Sequence, residues 1–138
     1  MTEEQRKEFF AMRKALDGYV SKIVDSPAEI NENPAAIRPW KPGVYVIGDV
    51  RMYEDIPHKC VQAHDSTLNE AWTPAVASLW MQYHGTSKET ARPWIAPTGA
   101  HDAYQSGEFA IYNGSIYECM MDGNVFSPDT HPAGWKKV

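Results

Sequence analysis

The stretch GDVRMYEDIPHKC, residues 48–60, decides the fold because the chain repeats its pattern as GEFAIYNGSIYEC at residues 107–119. Glycine, tyrosine and cysteine recur at one constant offset, Gly48 with Gly107, Tyr53 with Tyr112 and Cys60 with Cys119. Tryptophans recur on either side at slightly shorter offsets, Trp40 with Trp94 and Trp80 with Trp135. This spacing predicts a duplicated module of about 45 residues whose variable loops lie near its ends.

The repeat predicts the organisation of the whole chain of 138 residues. The expected segments are a helix at 1–25, a linker at 26–37, a first module at 38–83, a linker at 84–90 and a degenerate second module at 91–138. Modules of this size can barely support a core, so aromatic side chains must supply much of the burial. The expected fold class is mainly β with an N-terminal α-helix: two small antiparallel β modules in tandem after a helix that suits a coiled coil.

The hairpin signals differ between the two modules. In the second, Asn113-Gly114 separates two apolar runs, and both residues tolerate the positive φ that a two-residue type I′ turn requires. In the first, the corresponding place holds Asp55-Ile56-Pro57, which predicts a longer loop or another turn type.

The N-terminal segment has the period of a helix rather than a strand. Its apolar residues step by three and four positions along one stripe, namely Phe9, Met12, Leu16, Tyr19 and Ile23. Thr2 suits the N-cap and Pro27 ends the helix after about Val24. The stripe suits docking on the chain's own modules, and it suits a parallel homo-oligomer, a dimer or trimer through residues 2–24. A helix that orders only on a partner is the third alternative, and the proline-containing segment 25–39 is interpreted as a spacer.

Charge and hydropathy exclude several classes of function. The net charge is −5 and no cluster of Lys or Arg occurs, so nucleic acid is not an expected partner. No run of about 18 apolar residues occurs, so neither a membrane span nor a signal peptide is expected. Synthesis in a cytoplasm, without secretion, is the resulting expectation. Cys60 and Cys119 occupy the same place in two copies of one module and are expected to be free thiols.

No pattern of residues indicates catalysis or a metal site. His58, Cys60 and His64 are close in sequence, but no second pair of ligands completes a tetrahedral site, so no metal or cofactor is expected. The aspartates are scattered through turns, where short polar side chains stabilise the bend. The chain also lacks a Gly-x-Ser-x-Gly nucleophile elbow. We therefore expect no enzymatic activity.

The two modules resemble the small chitin-binding modules of carbohydrate-binding families 5 and 12. The first carries Trp40, the Tyr-x-x-Gly-Asp step at 45–49, Tyr53, CVQAHDS at 60–66, WTP at 72–74 and Leu79-Trp80. The second repeats this order as Trp94, YQSG at 104–107, Tyr112, YEC at 117–119, FSP at 126–128 and Trp135. The resemblance implies a compact antiparallel fold that binds repeating polysaccharide without cleaving it.

The resemblance also implies the binding residues. The Trp of the family's Trp-x-Pro element is exposed and provides the main sugar contact, and this role falls on Trp72. His64, Asp65 and Pro74 are its expected neighbours on the same face. In the second module Phe126 replaces the stacking Trp, so it would stack weakly if exposed and would leave that module a spacer if buried.

The layout of an acidic helix followed by such modules resembles accessory proteins of phages and prophages of Gram-positive bacteria. It implies a non-catalytic adhesin, carried on the virion as a fibre, tail or head-decoration component beside other virion proteins. The adhesin would bind cell-wall polysaccharide or another N-acetylated glycan of the host. The alternatives are a structural virion decoration or attachment protein without sugar binding, and an accessory module of a chitin-degrading system. The expected lack of a signal peptide favours the virion.

Overall fold

The computed structural model describes every residue from Met1 to Val138. It begins with one long helix and continues as short strands in mostly antiparallel sheets, which confirms the expectation of a largely β chain with an N-terminal α-helix. The chain divides into two compact units, Met1–Met81 (unit 1) and Gln82–Val138 (unit 2). No helix is both long and apolar enough to cross a membrane.

The secondary structure consists of two α-helices, nine short strands and four single-turn 3₁₀ helices. The helices are α1 (Glu3–Ile23) and α2 (Pro27–Glu32), and the strands are β1 (Val44–Tyr45), β2 (Val50–Tyr53), β3 (Ile56–Cys60), β4 (His64–Asp65), β5 (Trp80–Gln82), β6 (Arg92–Pro93), β7 (Phe109–Tyr112), β8 (Ser115–Cys119) and β9 (Trp135–Lys137). Three sheets have the strand orders β1-β4, β2-β3-β5 and β6-β7-β8-β9. The β6–β7 pair is parallel.

Helix α1 begins at the predicted cap. The Oγ1 of Thr2 accepts the Gln5 amide N–H at 3.1 Å, and the Thr2 N–H donates to the Gln5 side chain at 2.8 Å. This reciprocal pair satisfies two amide donors that the first turn would otherwise leave free. Glu3 and Glu4 lie in that turn, where the helix dipole favours negative charge.

The C-terminal half of α1 docks on the rest of unit 1. Docking on the chain's own modules was one of the three predicted alternatives. Val20 and Ile23 are buried. Asp17 forms ion pairs with Arg38 at 2.8 Å and with Arg13 at 2.9 Å. The hydrogen bond from Arg38 is the main reason that the pKa of the Asp17 carboxyl is lowered. The first half of the helix lies outside this contact, and the coiled coil remains a prediction for it.

The segment between α1 and the first strand is folded rather than extended. Ser26 caps α2, in which Ile30 is completely buried, and a short 3₁₀ turn follows at Pro34–Ala36. The carbonyl of Ala36 accepts a hydrogen bond from Arg13 of α1. The segment therefore helps to hold α1 on unit 1, and the interpretation of residues 25–39 as a spacer is corrected.

One core cluster of unit 1 consists of Tyr45, Cys60, Leu79 and Trp80, all buried. Tyr45 packs edge-on against Trp80, with ring centroids 5.0 Å apart and an interplanar angle of 71°. Its hydroxyl donates to the carbonyl of Lys41 at 2.5 Å. This edge-on geometry is one that aromatic pairs prefer, and it stabilises this cluster beyond the area that the two rings bury.

The core of unit 2 consists of Tyr104, Ala110, Cys119 and Trp135. Tyr104 packs edge-on against Trp135 at 5.1 Å and 67°. Burial raises the pKa of Tyr104 to about 12, so its hydroxyl stays protonated while it accepts the Ile95 N–H at 3.1 Å. Cys119, like the cysteine in unit 1, is a free and buried thiol.

Each unit contains a two-residue hairpin turn. Asn113 and Gly114 join β7 to β8 with φ values of 50° and 78°, which confirms that prediction. Glu54 and Asp55 join β2 to β3 with φ values of 51° and 64°, so the prediction of a longer or different loop was wrong. The strand register leaves two residues for this turn, and the twist of the strands requires positive φ at both. Strand pairing, rather than the preference of Glu54 and Asp55 for other turn types, therefore sets the geometry of this turn.

The predicted linker at 84–90 lies inside unit 2. His84 is buried and its Nδ1 lies 2.8 Å from Glu108 Oε1. The His84 ring also stacks on Tyr104 at 3.7 Å with an interplanar angle of 8°. Gly85 forms an antiparallel bridge with Phe109. These contacts make the start of the segment a structural part of unit 2.

Gly85→Ala should destabilise unit 2, because a Cβ there would lie 2.4 Å from the carbonyl oxygen of Thr90. Backbone atoms yield little, so the free energy of unfolding should fall by about 1–3 kcal/mol in urea denaturation. Gly18→Ala in α1 is the control, since nothing lies within 4 Å of its Cβ. Helix propensity predicts a gain of up to about 1 kcal/mol there. Equal effects of the two substitutions would contradict this packing.

Candidate functional site

The predicted stacking residue lies in the loop that joins β4 to β5. The Trp72 N–H donates to the carbonyl of Asn69 at 3.0 Å, and the Asn69 side-chain oxygen accepts the Ala71 N–H at 2.9 Å. Asn side chains stabilise such turns by bonding to the backbone two residues further on. The loop therefore fixes the backbone from which Trp72 projects.

Trp72 is half-buried. Part of its side chain packs against the core cluster that contains Tyr45 and Trp80, and the remainder is accessible to solvent. Because an indole has only two side-chain torsions and this one is held by packing, little conformational entropy is lost when a ligand binds. The accessible part of the ring suits the apolar C–H face of a pyranose.

His64 supports Trp72 from β4. Its ring lies edge-on to Trp72, with centroids 6.4 Å apart, and edge-on to Trp80 at 5.8 Å. Its Nδ1 lies 2.7 Å from the carbonyl oxygen of Gln62. A carbonyl only accepts, so Nδ1 carries the proton and Nε2 of the neutral ring is the acceptor. Nε2 is buried without a hydrogen-bond partner in the structure.

Asp65 and Pro74 are placed differently from Trp72 and His64. Asp65 accepts the Thr67 hydroxyl at 2.5 Å and the Thr67 N–H at 3.0 Å. These bonds, the hydroxyl first, lower the pKa of its carboxyl, so it remains an anionic acceptor at neutral pH. Consecutive strand residues point to opposite faces, which separates Asp65 from His64. Pro74 is buried and contributes to the interior of the loop.

Phe126 occupies an exposed loop of unit 2, with 48% of its surface accessible. Its ring lies 5.6 Å from that of His131, tilted by 57°. Its carbonyl accepts the indole N–H of Trp135 at 2.9 Å. Phe126 thus meets the condition under which weak stacking was expected, on a backbone tied to the core of unit 2.

Asn124 is a site residue that the sequence reasoning missed. It pairs with Tyr104 through two backbone hydrogen bonds of 2.9 Å, as His64 pairs with Tyr45 in unit 1. Its side chain is fully buried and its oxygen accepts the Phe126 N–H at 3.0 Å. The histidine segment and the asparagine segment differ in length, so spacing from the cysteine did not reveal the correspondence.

A separate concavity lies between α1 and β2, with a volume of about 150 Å³. Its charged lining consists of Asp17, Arg38, Asp49 and Arg51. Arg38 is held by Asp17, and the Arg51 guanidinium lies 5.2 Å from the centroid of the Tyr45 ring. Small-molecule sites usually measure about 300–1,000 Å³. This cavity is smaller, its acids and bases balance, and it includes none of the predicted site residues.

No protein-family model matches the chain. No curated protein matches it at a significant level. Within residues 1–138, no group of three or more His, Cys, Asp or Glu side chains is arranged to hold a metal ion.

Asn124→Ala should destabilise unit 2, because it leaves the Phe126 N–H without its acceptor and removes a fully buried amide. We expect the free energy of unfolding to fall by about 1–3 kcal/mol in urea denaturation. Asn69→Ala, at an exposed position, is the control and should cost about 0.5–1 kcal/mol. A cost at Asn124 no larger than that at Asn69 would show that the buried amide does not fix this loop.

Proposed function

We propose that this chain is a non-catalytic carbohydrate-binding protein that binds an N-acetylated glycan through Trp72 in unit 1. The observation that carries the proposal is one aromatic side chain, partly accessible to solvent, that packs on a cluster containing Tyr45 and Trp80. Such a ring binds sugar by stacking, and it needs neither a deep cleft nor a metal. His64, in edge contact with Trp72, holds the ring in place.

The two β regions are, in this proposal, two copies of one chitin-binding-like module, at 38–83 and 91–138. Equivalent contacts support the duplication. The Gly48 N–H donates to the Cys60 carbonyl at 2.9 Å, and the Gly107 N–H donates to the Cys119 carbonyl at 2.9 Å. Both glycines have positive φ, 95° and 88°. The opening tryptophans also meet tyrosines edge-on, Trp40 with Tyr53 at 5.7 Å and Trp94 with Tyr112 at 6.0 Å.

The charge of the chain suits a neutral sugar. Asp65 is an anionic acceptor on the other face of β4 from His64, and its bonds to Thr67 hold it in one orientation. The net charge of −5 gives no attraction to a polyanion, so the uncharged part of a cell-wall glycan is the better ligand. Pro74, being buried, acts through the shape of the loop rather than by contact.

The setting proposed for this activity is a phage or prophage virion. There the chain would be a fibre, tail or head-decoration component that adheres to the host cell wall. A single stacking residue that is partly accessible binds weakly, so adhesion would depend on many copies presented together. Other virion proteins would be its further partners. The resemblance of the layout to such accessory proteins supports this setting.

A structural decoration protein without sugar binding is the second candidate. The observation that favours it is that Trp72 also packs on the core of unit 1, so its ring has a role in folding alone. In that case the loop would be retained for stability, and binding to the virion would be its only function. The two candidates differ in whether the accessible part of Trp72 meets a ligand.

Trp72→Ala should abolish most binding to chitin beads and to isolated Gram-positive cell walls in a pull-down. Loss of a central aromatic contact typically weakens binding by about tenfold or more. Trp72→Leu keeps apolar packing on the core but removes the aromatic face, so it should lose binding while remaining folded. Circular dichroism checks the fold of each variant.

Leu68→Ala is the matched control for the pull-down. Leu68 lies in the same loop and is 77% exposed, but it has no aromatic ring. Its truncation should leave binding unchanged. If the wild-type protein binds neither material, or if Trp72→Leu binds as well as Leu68→Ala, the glycan proposal is wrong and the structural candidate is favoured.

A further inference from the structure

The concavity between α1 and β2 contains two opposite charges that the protein does not pair. Asp49 lies just before β2, Arg51 lies within it, and both line the concavity. Their spacing of two residues places the side chains on one side of the strand. Neither belongs to any ion pair of the chain, whereas the other two charged residues of the lining, Asp17 and Arg38, pair with each other. One carboxylate and one guanidinium therefore remain for a ligand.

The Arg51 guanidinium is held in one orientation. Its Nη1 donates to the carbonyl of Val50 at 2.8 Å, and its Cζ lies 5.2 Å from the centroid of the Tyr45 ring. Because Tyr45 belongs to a buried cluster, this cation–π contact ties the guanidinium to the core. A guanidinium has five N–H donors, and the bond to Val50 uses one of them. The remaining N–H groups suit a carboxylate, which a guanidinium binds through two parallel hydrogen bonds.

The Asp49 carboxylate is also fixed. Its Oδ2 accepts the Val46 N–H at 2.9 Å, while the Asp49 N–H donates to the Val46 carbonyl at 3.1 Å, which closes the turn before β2. Its Oδ1 is left without a hydrogen bond from the protein. A carboxylate only accepts hydrogen bonds, so its complement is a cationic donor, and an ammonium group has three N–H donors.

The size of the concavity limits the ligand to a few atoms. Its volume is about 150 Å³. One water molecule occupies about 30 Å³ in the liquid, so this space corresponds to about five non-hydrogen atoms. Glycine and alanine are amino acids of about this size. Val20 and Ala36 add apolar surface to the lining, which suits the carbon atoms of such a ligand.

We propose that this concavity binds a small zwitterionic α-amino acid, glycine or alanine. The carboxylate of the ligand pairs with Arg51, and its ammonium group pairs with Asp49. A simple anion is repelled by Asp49 and a simple cation by Arg51, so only a ligand with both charges uses both groups. The site shares no residue with the surface around Trp72, so the inference goes beyond the proposed glycan binding and does not depend on it.

The first test is an NMR titration of the full chain with glycine. Acetate, which lacks the ammonium group, and glycinamide, which lacks the carboxylate, are the matched probes at equal ionic strength. Glycine should cause saturable shifts of the amide signals of Asp49, Val50 and Arg51. Each of the other probes should bind about tenfold more weakly or worse, because a charged hydrogen bond is lost. No saturable shift with glycine, or acetate binding as tightly as glycine, would overturn the proposal.

The second test repeats the glycine titration with Arg51→Gln and Asp49→Asn. Each variant removes one charge and should weaken binding about tenfold or more. Asp49→Asn keeps an oxygen that can accept the Val46 N–H, so the turn should remain folded, which circular dichroism checks. Lys59→Gln is the matched control, because it makes the same change of net charge as Arg51→Gln in the neighbouring strand but outside the lining.

The control should bind glycine as the wild type does. Binding that is unchanged in folded Asp49→Asn, or that is lost equally in Lys59→Gln and Arg51→Gln, would contradict the site. Neither test uses a sugar, so failure here and failure of the pull-down are distinguishable.

Discussion

The packing of one tyrosine edge-on against one tryptophan in each unit is the interaction on which the rest of the structure depends. Tyr45 meets Trp80 at 5.0 Å and Tyr104 meets Trp135 at 5.1 Å. In each unit the pair belongs to a buried cluster that also contains a cysteine, and pairs of this geometry stabilise a core beyond the area that they bury. The candidate site depends on the pair of Tyr45 and Trp80, because Trp72 packs against the cluster that contains them. The surface that would bind sugar is an outward extension of the core.

The two units use this common core differently. Unit 1 places the imidazole of His64 between Trp72 and the core, which leaves a large aromatic ring partly open to solvent. Unit 2 places the amide of Asn124 at the corresponding position and uses it to fix the backbone of Phe126. A phenyl ring offers less stacking area than an indole. Unit 1 is therefore the stronger candidate for binding, and unit 2 offers at most a weaker contact.

Much of the fold was predictable from local sequence signals, and the parts that were not depend on tertiary contacts. The cap at Thr2 and the turn at Asn113-Gly114 are encoded by neighbouring residues, so both were predicted. The turn at Glu54-Asp55 was missed because strand pairing, not residue preference, sets its geometry. The contact of His84 with Glu108 was not predicted, because the two residues are distant in sequence. At the site, the contact of His64 with Trp72 agrees with the expectation, but the burial of Pro74 depends on loop packing that spacing does not reveal.

The measurement that tests the account most directly is a titration of the five tryptophan indole N–H signals by NMR with oligomers of N-acetylglucosamine. The Trp72 signal should shift progressively while those of Trp40, Trp80, Trp94 and Trp135 stay nearly constant, because the indole nitrogens of Trp40, Trp80 and Trp94 are buried and that of Trp135 donates to the Phe126 carbonyl. An unchanged Trp72 signal at saturating sugar, or a shift confined to unit 2, would contradict the assignment of the binding surface to unit 1.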